Sequence, residues 1–137
     1  MGVSTVKEVT KEDLELIAMA TATIKRNYDK EKLRHTVAAA VRCSSGRIYT
    51  GVNVYSIHGA CAEMIAIGSA ITAGEREFDC LAAVRGENGE ELLSPCGNCR
   101  QFLADYIPHC KIIINTNQGL KKINAAELLP FAYTVPD

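Results

Sequence analysis

Apolar and polar positions follow two rhythms along this chain, and the change from one to the other marks out its elements. "TKED" opens like a helix, with Thr10 as cap and Asp13 three residues on. Leu14, Ile17, Thr21 and Ile24 then recur at helical spacing. "HTVAAAVRC" and "RIYTGVNVY" read as strands, and the turn residues "SSG" between them predict a hairpin. "ACAEMIAIGSAITAG" is apolar nearly all round and stops at Gly74, which predicts a buried helix. "FDCLAAV" reads as a strand, "GNCRQFLADYI" as a helix ended by Pro108, "KIIIN" as a buried strand, and "GLKKINAAELL" as a short strand and helix. The order suggests an α/β fold of three layers, α/β/α, around a mixed five-stranded sheet.

Composition narrows the classes. The chain has 137 residues, 47% hydrophobic and 23% charged, with a formal net charge of −1. Residues 1–137 are expected to form one domain with a real core. No basic stripe offers an electrostatic grip on a nucleic acid polymer. No apolar run approaches the roughly 20 residues of a membrane helix. "MGVSTVKEVTKEDLELI" lacks the apolar core of a signal peptide, so a cytoplasmic protein is expected. There the six cysteines are thiols or metal ligands rather than disulfides.

"SPCGNCRQ" sets Cys96 and Cys99 three apart at a helix start, facing the same way. Cys61 opens the preceding helix. Helix N-termini favour negative charge and lower thiol pKa values. If the two helices lie side by side, three thiolates converge, and catalytic zinc takes three protein ligands with Zn–S bonds of about 2.3 Å. Two plainer readings compete. A redox pair would not need Cys61. A closed structural site needs a fourth ligand: Cys43, Cys80 and Cys110 read as small core residues, and His58 is the better spare.

Glu63, two residues after Cys61, separates these readings. A carboxylate in a first helical turn is favourable in any case, but beside a three-ligand zinc it becomes a general acid/base. C-x-E followed at a distance by P-C-x-x-C is the signature of zinc deaminases in their three-cysteine form. "GVNVYSIHGACAE" and "SPCGNCRQFL" resemble the cytidine deaminase family, and the likeness runs from "HTVAAAV" to "ELLPFAY". "TATI", "GRIYTGVNVY", "CAEM" and "ELLPFAY" resemble its blasticidin-S deaminase branch most.

The resemblance implies one Zn²⁺ per chain on Cys61, Cys96 and Cys99, and a homotetramer whose chains help to close one another's sites. It implies hydrolytic loss of ammonia from a cytosine ring, with Glu63 moving the protons. It assigns the 2-oxo group to the amide of Ala62, and the amine to carbonyls around Ser94 and Pro95. Three thiolates leave zinc with a net negative charge, which Arg100, directly after Cys99, could offset through a hydrogen bond to sulfur. Phe131 and Tyr133 could cover the base as a lid or pack at an interface.

The departures concern the sugar. The family carries Asn-x-Glu after the second strand; here Asn53 matches and Tyr55 replaces the glutamate. Met64 stands where an arginine often follows the motif glutamate, and His35 where an aromatic precedes "VAAA". His35 is read equally as a substrate contact or a structural residue. The expected substrate is a small cytosine nucleoside: cytidine, deoxycytidine or an analogue such as blasticidin S. A non-enzymatic zinc-stabilised binding module and a polynucleotide deaminase are the alternatives.

Overall fold

The computed structural model describes residues 6–134 and residue 136. In chain order the elements are β1 (Lys7–Glu8), α1 (Lys11–Asn27), β2 (Val37–Cys43), β3 (Ile48–Val52), α2 (Ala62–Thr72), β4 (Phe78–Arg85), β5 (Glu91–Leu93), α3 (Gly97–Tyr106), β6 (Lys111–Thr116), β7 (Gly119–Asn124) and a 3₁₀ turn, Ala125–Leu128. All strands join one sheet in the order β1-β7-β6-β4-β2-β3, and β5 also pairs with β4. The β4–β6 pair is parallel and the others are antiparallel.

Among the described residues the sheet therefore has seven strands, not the expected five. The two extra ones, β1 and β5, are two and three residues long, too short for alternation to register. β5 still matters. On the side of β4 away from β2, β6 pairs at Cys80 and Leu81, and β5 pairs at Ala83–Arg85. The chain leaves β5 at Leu93 and runs directly into Ser94, Pro95 and Cys96.

Alternation splits the core into two layers. Ala39, Val41 and Cys43 face α2 and Leu103 of α3, while Ala38 and Ala40 face Leu16, Ala20 and Ile24 of α1. Small side chains on both faces of β2 let helices approach from both sides. Gly51 of β3 is the tightest such point: a Cβ there would lie 2.6 Å from the amide nitrogen of Ala66 in α2.

The capping box on α1 forms as expected, with Thr10 and Asp13 exchanging hydrogen bonds. The buried face is rotated from the expected stripe, however. Asp13, Leu16, Ala20, Thr23 and Ile24 are buried, and Leu14 is 52% exposed. The cause is Asp13, whose carboxylate meets Arg42 Nη2 of β2 and Lys122 Nζ of β7, each at 2.8 Å. Drawing position 13 inward turns position 14 out, since neighbours on a helix lie about 100° apart. α2 buries Ala62, Glu63, Ala66, Ile67 and Ala70 and exposes Gly68, Ser69 and Thr72. No helix among the described residues is long and apolar enough to cross a membrane.

Candidate active site

Two helix starts meet. Cys61 is the N-cap of α2, Cys96 is the N-cap of α3, and Cys99 lies in the first turn of α3. Their sulfurs all lie within 4.8 Å of one another, with Cys61 and Cys96 3.5 Å apart. A tetrahedral centre with Zn–S bonds of about 2.3 Å puts its sulfurs about 3.8 Å apart, so the set fits zinc. Burial pushes the Cys61 and Cys99 thiols up. Burial opposes ionisation of Cys96 too, but the amides of Cys99 and Asn98 and the neighbouring thiols outweigh it and hold that thiol below its ordinary range. A soft dication suits three clustered sulfurs of this kind. His58 is exposed and outside the cluster, and Cys43, Cys80 and Cys110 are buried free thiols elsewhere.

Glu63 is 5% exposed, and burial raises its carboxyl above the usual range, against the opposing pull of its own amide and of Cys99. It lines a pocket of about 440 Å³ together with Cys61, Ala62, Cys96, Ser94, Asn53 and Tyr55. Asn53 is fixed by its oxygen: Oδ1 accepts from the amides of Thr36 at 2.7 Å and Val37 at 3.0 Å. Its NH₂ is the half left to donate to a ligand. Tyr55 stands at the mouth, 72% exposed.

Several residues stand elsewhere than the sequence suggested. His35 is not among the pocket-lining residues; its Nδ1 donates to the carbonyl of Asn53 at 2.8 Å. Arg100 is engaged away from sulfur. Its Nε donates to Pro95 O at 2.8 Å, Nη2 to Ser94 Oγ at 2.9 Å and Nη1 to Leu128 O at 3.1 Å. It ties the loop before Cys96 to the 3₁₀ turn. Pro95 is buried and does not line the pocket. Phe131 and Tyr133 are exposed and outside the pocket, and the Tyr133 carbonyl accepts from Gln101 at 3.1 Å.

Beyond Tyr55, sequence reasoning missed the pocket wall formed by Val54, Ser56, Ile57, Gly59 and Ala60. Val54 and Ala60 pair as an isolated bridge, closing that loop on itself. Gly59 permits the closure, since a Cβ there would sit 2.0 Å from Val54 O. "SIHGA" carries no periodicity, and its glycine was the one available signal.

Three sulfurs for zinc beside a buried carboxylate, on an α/β/α frame, define a zinc-dependent hydrolytic deaminase with one zinc per chain. Residues 10–114 match the cytidine and deoxycytidylate deaminase zinc-binding region, and the chain belongs to that family. It is 39% identical over 135 residues to a blasticidin-S deaminase of Bacillus cereus, covering 92% of this chain and 95% of that one. It is 36% identical over 107 residues to a cytidine deaminase of Sporosarcina psychrophila, covering 74% and 76% respectively. Among solved structures, a cytidine deaminase from Burkholderia pseudomallei superimposes with a TM-score of 0.71 at 29% identity, over 91% of this chain and 100% of that one.

Proposed function

We propose that this enzyme deaminates cytosine nucleosides, and that it accepts altered sugars, blasticidin S among them, at least as well as ribose. The observation that carries the chemistry is Glu63, a buried carboxyl with a raised affinity for protons, in one pocket with the sulfurs of Cys61 and Cys96.

Bound zinc supplies the acidity that makes water a nucleophile near neutral pH. Glu63 accepts the proton that water loses and passes protons to N3 and to the departing amine. One water enters, the C4–N bond breaks, and the 4-oxo ring and ammonia leave. The Ala62 amide, in the first turn of α2 and without an intrahelical acceptor, binds the 2-oxo group. The Ser94 carbonyl holds the amine, because Ser94 lines the pocket and Pro95 does not. Asn53 Nδ2 donates to a sugar hydroxyl, since its oxygen is committed to the backbone.

The sugar preference rests on Tyr55 and on the 39% likeness to a blasticidin-S deaminase. A carboxylate at position 55 would bind a hydroxyl by about 1.5–3 kcal/mol, against about 1 kcal/mol for a neutral partner. Tyrosine gives up that grip and offers a flat apolar face. Ammonia release from cytidine, deoxycytidine and blasticidin S tests the reading, with kcat/KM measured again in Tyr55→Glu. Blasticidin S should match or exceed cytidine, and Tyr55→Glu should move the ratio toward cytidine. No release from any substrate defeats the deaminase reading. A strong preference for cytidine, or a ratio unmoved by Tyr55→Glu, defeats the sugar reading. We read the working form as a cytoplasmic homotetramer: exposed Phe131 and Tyr133 are apolar surface that such an assembly would cover, and sedimentation would reveal it.

A further inference from the structure

The pocket does not end at Tyr55. Tyr55, Ser56 and Ile57 also line a second, open groove of about 560 Å³, whose remaining walls are Lys32 and Arg34. The groove thus carries two positive charges and no negative one. The other cations nearby are occupied: Arg85 holds Glu91 at 2.7 Å, and Lys30 holds Glu87 at 2.6 Å. Lys32 and Arg34 form no ion pair among the described residues.

Local structure holds the backbone that carries these two side chains. The carboxylate oxygens of Asp29 accept the backbone amides of Lys32 at 3.1 Å and Arg34 at 3.3 Å, which directs this acid at the turn's backbone, and neither Asp29 nor Glu31 lines the groove. Leu33, between the two cations, has φ 54°, a left-handed conformation that a leucine adopts only under constraint. The Tyr55 amide then donates to Arg34 O at 3.0 Å, pinning the turn to the pocket mouth. The result is a fixed turn that presents two cationic side chains beside the residue that replaces the family's acidic partner.

We infer that Lys32 and Arg34 form an anion subsite for a carboxylate or phosphate carried on the sugar side of the substrate. The inference rests on the cytosine-nucleoside reading, which puts the base at the Cys61–Glu63 end and so points the sugar toward Tyr55. Arginine suits either anion through its planar pair of donors, and lysine adds a point charge. Both groups are exposed, so the attraction weakens with salt.

Binding of product-like ligands tests this without turnover. Uridine, uridine 5′-monophosphate and the 5′-carboxylate of uridine are titrated calorimetrically into the zinc-loaded protein at low and high salt. At least one anion should bind about tenfold more tightly than uridine at low salt, with less advantage at high salt. Which arm gains distinguishes phosphate from carboxylate. In Lys32→Gln/Arg34→Gln the anion and uridine affinities should converge. Equal binding of all three ligands to the parent overturns the subsite and leaves the nucleoside reading intact, as does an anion preference that survives the double substitution. Failure of uridine to bind, with no deamination of cytidine, overturns both.

Discussion

Asn53 shows how little freedom a pocket-lining side chain here retains. Its oxygen accepts two backbone amides of the strand entry, Thr36 and Val37, so the side chain cannot flip and its nitrogen must face the pocket. Glu63 is fixed by burial instead. Glu63→Gln should keep zinc, because the side chain is not a ligand, and should lose about 10²–10⁴-fold in kcat, the span of a positioned acid/base. Metal content and turnover of the purified variant check this; full activity would put the proton carrier elsewhere. At this scale the sequence was informative where chemistry depends on residue type and spacing. Cys61, Cys96 and Cys99 could be read as a set because metal ligation depends on sulfur ligands at a definite spacing, and Glu63 stands two residues from the first of them. Arg100 could not, since its role depends on Leu128, a partner 28 positions away that spacing does not reveal.

The elements place the site through close approach. α2 must lie against β3 for Cys61 and Glu63 to reach the pocket, and Gly51 leaves room for the Ala66 backbone. Gly51→Val should cost about 1–3 kcal/mol, as overpacking does, and weaken zinc binding by displacing Cys61. Denaturant unfolding read beside a zinc titration checks both. Unchanged zinc affinity would mean that the helix start does not depend on this contact. The strong elements were legible because periodicity persists over many residues: the hairpin, α2, β4 and α3 all stand where the pattern put them. β1 and β5 were not, because pairing with β7 and β4 creates them rather than any local preference. Leu14 misled because apolar periodicity took no account of the acid beside it.

For the molecule as a whole, that acid is a staple. Asp13 is fully buried and joins α1 to β2 and β7. Burial alone would raise its carboxyl, but Lys122, the Thr10 amide and Arg42 outweigh it and hold the group well below the carboxylate range. A depressed folded pKa contributes stability above the unfolded value of about 3.8, and that stability drains away as pH falls below it. Asp13→Asn should cost about 3–5 kcal/mol near neutrality, the range for breaking a buried pair. Melting curves from pH 7 to pH 3 should show the parent's advantage over the variant holding to about pH 4 and beginning to shrink below it. A gap that stays constant with pH would mean that charge is not what Asp13 contributes.

The distribution of the three sulfurs along the chain also sets an order of assembly. Cys61 precedes β4, and Cys96 and Cys99 follow it, so no local fragment holds the complete set. A chain emerging during synthesis presents one thiol with α2 and gains the other two only after β4 and β5 have been made. Tight capture of the ion therefore waits for the centre of the sheet to close. Pairings so distant in sequence form slowly. In stopped-flow refolding, zinc uptake followed by a chromogenic indicator should lag the far-ultraviolet signal of helix and sheet. Uptake as fast as that signal would mean that the metal organises the fold rather than arriving when it is nearly complete.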